Sequence, residues 1–116
     1  MSKRILIVDD DPNITSYLSD FLSEEGYKTL TANNGKEAER ICSVEEVDLI
    51  TLDLEMPEMH GPRFNLHLKR DGKAIPIIVI TGQPELKPAI PNAVAKFDKP
   101  FKREDVLAKV REILGA

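Results

Sequence analysis

Cysteine, long basic runs and long apolar runs are all scarce in this chain, and each scarcity argues against a class of protein. The single cysteine, Cys42, excludes an internal disulfide and a metal cluster built on several thiolates. The chain has no long run of lysine and arginine and a formal net charge of -4, which argues against a nucleic-acid-binding surface. No apolar stretch has the length that a membrane-spanning helix needs, and the apolar residues near the N-terminus stop at Val8, too soon for a signal peptide. We therefore expect a cytoplasmic protein that contacts neither nucleic acid nor membrane directly.

The length and composition are those of an ordinary globular domain. The chain has 116 residues, of which 41% are hydrophobic and 31% are charged. A domain of this length buries roughly two-thirds of the surface that its unfolded chain exposes, which is enough for a hydrophobic core. We therefore expect one domain over residues 1–116.

Short apolar runs alternate along the chain with segments in which apolar residues have helical spacing. The runs predict five strands, over Arg4–Val8, Tyr27–Ala32, Asp48–Leu52, Ile75–Ile80 and Val94–Phe97. The amphipathic segments predict helices between Pro12 and Gly26 and over Lys36–Cys42, Pro62–Lys69 and Lys102–Leu114. Strands separated by helices form β-α-β units, so we expect a doubly wound α/β fold with a parallel sheet and helices on both faces.

The segment Gln83–Asn92 does not follow this alternation. It lies where a helix should connect the fourth and fifth strands, but it contains Pro84, Pro88 and Pro91. A proline inside a helix removes a hydrogen-bond donor and costs about 3 kcal/mol. We therefore predict that this fourth helix is shortened or missing.

Polar residues follow the ends of the predicted strands. Because the carboxyl ends of parallel strands share one edge of a sheet, we expect these side chains to converge. Carboxylates about 4 Å apart repel by about 4 kcal/mol at an effective dielectric constant of 20, and a hard divalent cation such as Mg²⁺ reverses this effect. The residues are Asp9 and Asp10 after the first strand, Asp53 after the third, Thr81 and Gly82 at the fourth, and Lys99 after the fifth.

These groups together predict the chemistry of phosphoryl transfer. A carboxylate can accept a phosphoryl group as a nucleophile, and Asp53 is the candidate. Lys99 and Thr81 would stabilise the charged phosphoryl oxygens together with the cation. Gly82 has no side chain, so it leaves room for the phosphate and offers its backbone N–H.

With polar residues at the ends of its predicted strands, the sequence resembles the receiver domain of two-component response regulators. The similarity extends from Arg4 to Leu114 and rests on four segments that occur in the family's order. They read I-L-I-V-D-D-D-P, D-L-E-M-P-E-M-H-G, I-I-V-I-T-G and D-K-P-F. Any one of them is a weak signal, but the set is very specific. We accordingly expect a five-stranded sheet with the flavodoxin-like order 2-1-3-4-5.

The resemblance implies a role for each residue at the strand ends. Asp53 would accept the phosphoryl group from a histidine of a sensor kinase or from a phosphotransfer protein. Thr81 would be the switch hydroxyl, Lys99 would pair with the phosphate, and the Lys99-Pro100 peptide bond would be cis. The Mg²⁺ ligands would be Asp9, Asp10, Asp53 and the backbone carbonyl of Glu55, with Asp10 bound directly and Asp9 largely through water.

The expected function is that of a signalling module, not an enzyme, which catalyses only its own phosphorylation and dephosphorylation and then regulates a downstream protein. Glu55 and Gln83 each lie two residues beyond a site residue, and we predict that they set the lifetime of the phosphoryl group.

The sequence differs from the family at Lys96. The family usually has an aromatic residue at this position, three residues before the lysine that corresponds to Lys99. The nearby aromatic Phe97 is predicted to lie on the opposite face of the strand.

Two other functions fit parts of the pattern. A phosphatase of the haloacid-dehalogenase type also uses an aspartate nucleophile at a strand end with Mg²⁺, and Glu55 could serve as its general acid. A receiver-like binding module with a degenerate switch is favoured by Lys96. The intact set of Asp53, Thr81 and Lys99 argues against this last reading.

Overall fold

A five-stranded parallel sheet forms the centre of the described part of the protein. The computed structural model describes residues 2–54, 74–83, 90 and 92–115, and within these ranges it has five strands and three helices. The strands are β1 (Arg4–Val8), β2 (Lys28–Ala32), β3 (Leu49–Leu52), β4 (Ile77–Thr81) and β5 (Ala95–Asp98). The helices are α1 (Pro12–Glu24), α2 (Gly35–Val44) and α3 (Arg103–Leu114). The strand order is β2-β1-β3-β4-β5, which confirms the predicted order.

Two apolar clusters hold the helices to the sheet, one on each face. The first cluster packs α2 against one face through Ala38, Ile41 and Cys42. The second packs α1 and α3 against the other face, with Leu18 and Val106 among its fully buried members. All strand pairs are parallel. The prediction of a doubly wound α/β fold with helices on both faces is therefore confirmed.

Helix α1 begins and ends where the sequence predicts. The carboxylate of Asp11 accepts a hydrogen bond from the backbone N–H of Asn13 at 2.9 Å, as an N-cap should, and Pro12 follows at the first helical position. Just beyond the helix, Gly26 has a φ angle of 94°, which is strained for residues with a side chain. Asp11 is therefore the N-cap of α1.

Strands β4 and β5 are displaced towards the carboxyl edge relative to the prediction. Strand β4 begins at Ile77 and not at Ile75. Pro76 lacks an N–H donor and contributes only its carbonyl, which accepts from the backbone N–H of Ile50 at 3.0 Å. At its other end, β4 includes Thr81. The last strand residues therefore lie directly at the edge where the polar side chains were expected.

Several predictions fall outside the described residues. They concern the helix over Pro62–Lys69, the backbone carbonyl of Glu55, and the shortened or missing helix between β4 and β5, which falls on residues 84–89 and 91. In the part of the chain that the structure does describe, no helix has both the length and the apolar character to cross a membrane.

Thr51 on β3 carries a buried hydroxyl that, among the described residues, has no hydrogen-bond partner. It is 2% exposed and lies between Ile7 and Ile78 in the register of the central strands. A buried polar group without a partner costs about 1–3 kcal/mol. We expect Thr51→Val, which keeps the shape of the side chain, to raise the free energy of unfolding by about 1 kcal/mol in urea denaturation.

The matched control for this prediction is Thr31→Val on β2, where the side chain is exposed. The same substitution there should change the free energy of unfolding by less than about 0.5 kcal/mol. A Thr51→Val protein that is less stable than the wild type would show that the hydroxyl has a partner in solution.

Candidate functional site

The sheet itself places two carboxylates side by side at its carboxyl edge. Asp9 directly follows β1 and Asp53 directly follows β3. The backbone N–H of Asp9 donates to the carbonyl of Ala32 at 3.1 Å, and that of Asp53 donates to the carbonyl of Val8 at 3.0 Å. These hydrogen bonds extend the ladder by one residue, so both aspartates are held by the sheet.

A third carboxylate joins this pair from the start of the loop before α1. Ligand oxygens of Asp9, Asp10 and Asp53 all lie within 4.8 Å of one another. Asp9 is 3% exposed and Asp53 is 8% exposed, whereas Asp10 is open to solvent. The predicted convergence of the three aspartates is therefore observed.

Lys99, which directly follows β5, brings a positive charge to the carboxylates. Its Nζ donates a hydrogen bond to Oδ2 of Asp9 at 2.7 Å and lies 3.7 Å from Oδ2 of Asp53. Its backbone N–H donates to the carbonyl of Thr81 at 2.9 Å, which anchors the loop after β5 to the end of β4. The Lys99-Pro100 peptide bond is cis, as the resemblance implies.

Thr81 and Gly82 lie at the same edge, beside Lys99. Thr81 is fully buried, and its Oγ1 accepts a hydrogen bond from the backbone N–H of Gln83 at 3.0 Å. A Cβ atom built on Gly82 would lie 4.0 Å from Cδ of Lys99, an ordinary contact distance. Glycine is therefore not required here by packing, and its missing side chain leaves the space beside Lys99 open.

Burial and charge act against each other in this cluster. Burial raises the pKa of the Asp9 carboxyl above its usual value, although the hydrogen bond from Lys99 lowers it. For Lys99, burial lowers the pKa, but the hydrogen bond to Asp9 and the charges of the aspartates prevail, so the pKa is raised. Three carboxylates thus face one ammonium group in the described part of the site, and the excess negative charge favours a further cation.

The donor set fits Mg²⁺. This ion prefers oxygen ligands, keeps several waters and commonly binds only one or two carboxylates of the protein. A hollow of about 260 Å³ borders Asp9 and Asp10 and gives room for waters on that side. Its lining includes Thr15, Thr31 and Glu37, all of which carry oxygen atoms.

One contact that orients the site was not predicted from the sequence. The backbone N–H of Asp11 donates to Oδ1 of Asp9 at 2.9 Å, so Asp11 holds the site aspartate as well as capping α1. An aspartate often accepts a hydrogen bond from the backbone N–H two residues further on. The D-D-D run of the sequence therefore could have indicated this contact between Asp11 and Asp9.

The positions of Lys96 and Phe97 agree with the prediction for β5. Lys96 is exposed and lies in register with Val79, a member of the first cluster. Phe97 packs against the second cluster, on the opposite face of the sheet.

The strand order and the acidic edge with its lysine define a receiver domain. The family model described as response regulator receiver domain matches residues 5–111, and the chain belongs to this family. The chain is 35% identical to protein Rrf1 of Nitratidesulfovibrio vulgaris, over 99% of this chain and 85% of Rrf1. It is 33% identical to the alkaline phosphatase synthesis transcriptional regulatory protein PhoP of Bacillus subtilis, over 98% of this chain but only 49% of PhoP. It thus spans about half the length of PhoP.

Solved structures show the same similarity. The response regulator protein TrrA from Thermotoga maritima, in complex with Mg²⁺-BeF, superimposes with a TM-score of 0.89 at 35% identity, over 97% of this chain and 99% of that one. A chain of the complex between histidine kinase ThkA and TrrA gives a TM-score of 0.85 at 35% identity, over 97% of this chain and 98% of that one.

Proposed function

We propose that this receiver domain is a phosphoacceptor that takes a phosphoryl group onto Asp53 in an Mg²⁺-dependent reaction. The observation that carries the proposal is the position of the Lys99 ammonium, 2.7 Å from Asp9 and 3.7 Å from Asp53, among three converging carboxylates. This arrangement places one ammonium group beside the Asp53 carboxylate, and together with a bound divalent cation it would supply the positive charge that a phosphoryl group needs.

The chain's own groups account for the transfer step. A carboxylate oxygen of Asp53 forms the new bond to phosphorus while the bond to the donor nitrogen breaks, and the electron pair of that bond leaves with the nitrogen. Lys99 has only to turn from Asp9 towards Asp53 to reach the phosphoryl oxygens. The backbone N–H of Gly82 and the hydroxyl of Thr81 lie at the same edge and would bind the oxygens that Lys99 leaves free.

The metal ligands keep the division of roles that the family resemblance implies. Asp10 is exposed and would bind Mg²⁺ directly, whereas Asp9 is buried and its Oδ1 is held by the backbone N–H of Asp11, so Asp9 would act largely through water. Asp53 and the backbone carbonyl of Glu55 would complete the protein's share of the ligands. When bound, the ion neutralises charge on the transferring phosphoryl group.

The proposed function needs two protein partners, one that donates the phosphoryl group and one that responds to the phosphorylated domain. TrrA, which is similar to this chain over nearly its whole length, forms a complex with a histidine kinase. We propose that a sensor histidine kinase or a phosphotransfer protein donates the phosphoryl group here, and that a downstream protein responds to the changed conformation. A single buried cysteine suits the cytoplasm as the site of these events.

Lys96 favours a second candidate function, a receiver-like binding module whose switch is degenerate. An exposed lysine stands where the family usually has an aromatic residue. Incubation with Mg²⁺ and a small phosphodonor, followed by intact-mass measurement, separates the candidates. A single phosphoryl adduct supports the phosphoacceptor, and its absence supports the degenerate module. Multiple turnover of the donor would instead support an aspartate phosphatase.

Gln83 and Glu55 are proposed to set the lifetime of the phosphoryl group. Gln83 is half-buried, and its backbone N–H is hydrogen-bonded to the Thr81 hydroxyl, which places it next to the site. We expect the double variant Glu55→Ala, Gln83→Ala to change the rate of dephosphorylation, because each residue follows a site residue by two positions in the sequence and is proposed to contact the attacking water. Loss of the adduct over time by mass spectrometry measures this rate, and a rate equal to that of the wild type would refute the role.

A further inference from the structure

Both oxygens of the Asp9 carboxylate are engaged by groups of the chain itself. Oδ1 accepts from the backbone N–H of Asp11 at 2.9 Å, and Oδ2 accepts from Nζ of Lys99 at 2.7 Å. Asp9 is 3% exposed, so solvent does not compete for these oxygens. Among the residues that the structure describes, Lys99 is therefore the cationic group that occupies the acidic cluster.

The two partners of Asp9 differ in how easily they can leave. The N–H of Asp11 belongs to the turn that begins α1, where the Asp11 carboxylate in turn caps the helix. The Lys99 ammonium ends a flexible side chain that is 21% exposed, and a second acceptor, Oδ2 of Asp53, lies 3.7 Å away. A positive charge arriving at the cluster will therefore displace Lys99 first, because like charges repel and Lys99 can move.

We infer that Lys99 competes with the divalent cation for the acidic cluster and thereby sets the metal affinity of the domain. This inference deepens the proposed function, on which it rests, by naming a control of the same site. Metal binding weakens the contact between Lys99 and Asp9, and the released ammonium moves towards Asp53, where the phosphoryl group will be. The contact with Asp9 thus keeps Lys99 from making a hydrogen bond at Asp53, from which its Nζ is 3.7 Å away, until the metal is bound.

The test is calorimetric titration of the whole chain with Mg²⁺ alone, at constant ionic strength and without a phosphodonor. Lys99→Met removes the charge and keeps most of the alkyl chain. We expect it to lower the Kd for Mg²⁺ by about tenfold or more, because two cations a few ångströms apart repel strongly at a partly buried site. Lys99→Arg, which keeps the charge, should bind Mg²⁺ with nearly the wild-type Kd.

The matched control is Lys96→Met, which makes the same chemical change on the same strand. Lys96 is exposed, and the structure gives it no ion pair with the acidic cluster among the described residues. Its charge is screened by salt, so the Kd should stay within about twofold of the wild type. Thermal melting without metal verifies that each variant is folded.

The outcomes separate this inference from the function on which it rests. If Lys99→Met and Lys96→Met bind Mg²⁺ equally well, Lys99 does not compete, and the inference is wrong even if Asp53 is still phosphorylated in the wild type. If the wild type and both variants all fail to bind Mg²⁺, both the inference and the proposed metal site are wrong. Tighter binding by Lys99→Met alone supports it.

Discussion

Asp53→Asn is expected to abolish the phosphoryl adduct completely while leaving the fold intact. The asparagine side chain has the same shape but lacks the nucleophilic carboxylate, so no bond to phosphorus can form. Asp53 is 8% exposed and lies beside Lys99, and the substitution adds no bulk to this crowded place. The measurement is intact mass after incubation with Mg²⁺ and a small phosphodonor, with the wild type showing one added phosphate per chain.

Asp20→Asn serves as the matched control for this experiment. Asp20 is an exposed aspartate on α1, outside the acidic cluster. The control should carry the adduct to the wild-type level, since the loss of one surface charge does not affect the reacting carboxylate. An undiminished adduct on Asp53→Asn would place the phosphoacceptor elsewhere in the chain and overturn the assignment.

The second large effect concerns the metal. A ligand that binds only the folded state stabilises it by mass action, by about 2.7 kcal/mol at a concentration one hundred times its Kd. We therefore expect Mg²⁺ to raise the melting temperature of the wild type and a chelator to reverse the effect. Asp10→Asn should remove most of this increase, because Asp10 is the exposed carboxylate that is open to direct coordination.

Asp11, the acidic residue next to Asp10, provides the control for the prediction that Asp10→Asn removes the effect of Mg²⁺. Asp11→Asn also removes one negative charge, and asparagine caps a helix as well as aspartate does, so the variant should keep most of the Mg²⁺ effect. If the melting temperature of Asp10→Asn rises with Mg²⁺ as much as that of Asp11→Asn, then Asp10 is not a ligand. The carboxylate cluster would then bind no metal in the way proposed here.

Much of the fold and of the site could be predicted because parallel strands end at one edge. The apolar runs before Asp9 and before Asp53 identified both strands and therefore placed both carboxylates together. The D-K-P-F segment placed Lys99 at the same edge for the same reason. These are consequences of strand order and direction, which leave little freedom to the residue that immediately follows a strand.

The details that the sequence could not supply depend on side-chain geometry. Nζ of Lys99 lies 2.7 Å from Oδ2 of Asp9 and 3.7 Å from Oδ2 of Asp53, so the two contacts differ by only 1.0 Å (3.7 minus 2.7 Å). Sequence spacing does not fix the rotamer of a lysine, so the sequence could not show which aspartate Lys99 contacts. The Thr51 hydroxyl, which has no hydrogen-bond partner in the part of the chain that the structure describes, could not be predicted either, because threonine is an ordinary strand residue until its neighbours are known.

Phosphorylation of Asp53 beside Mg²⁺ is tested most directly by a crystal structure of the protein with Mg²⁺ and beryllofluoride, a mimic of the phosphoryl group. We expect the mimic on a carboxylate oxygen of Asp53, Mg²⁺ bound by Asp10 and Asp53, and Nζ of Lys99 within hydrogen-bond distance of a fluorine atom. A mimic bound away from Asp53, or a Lys99 still paired with Asp9 beside an occupied metal site, would contradict this expectation.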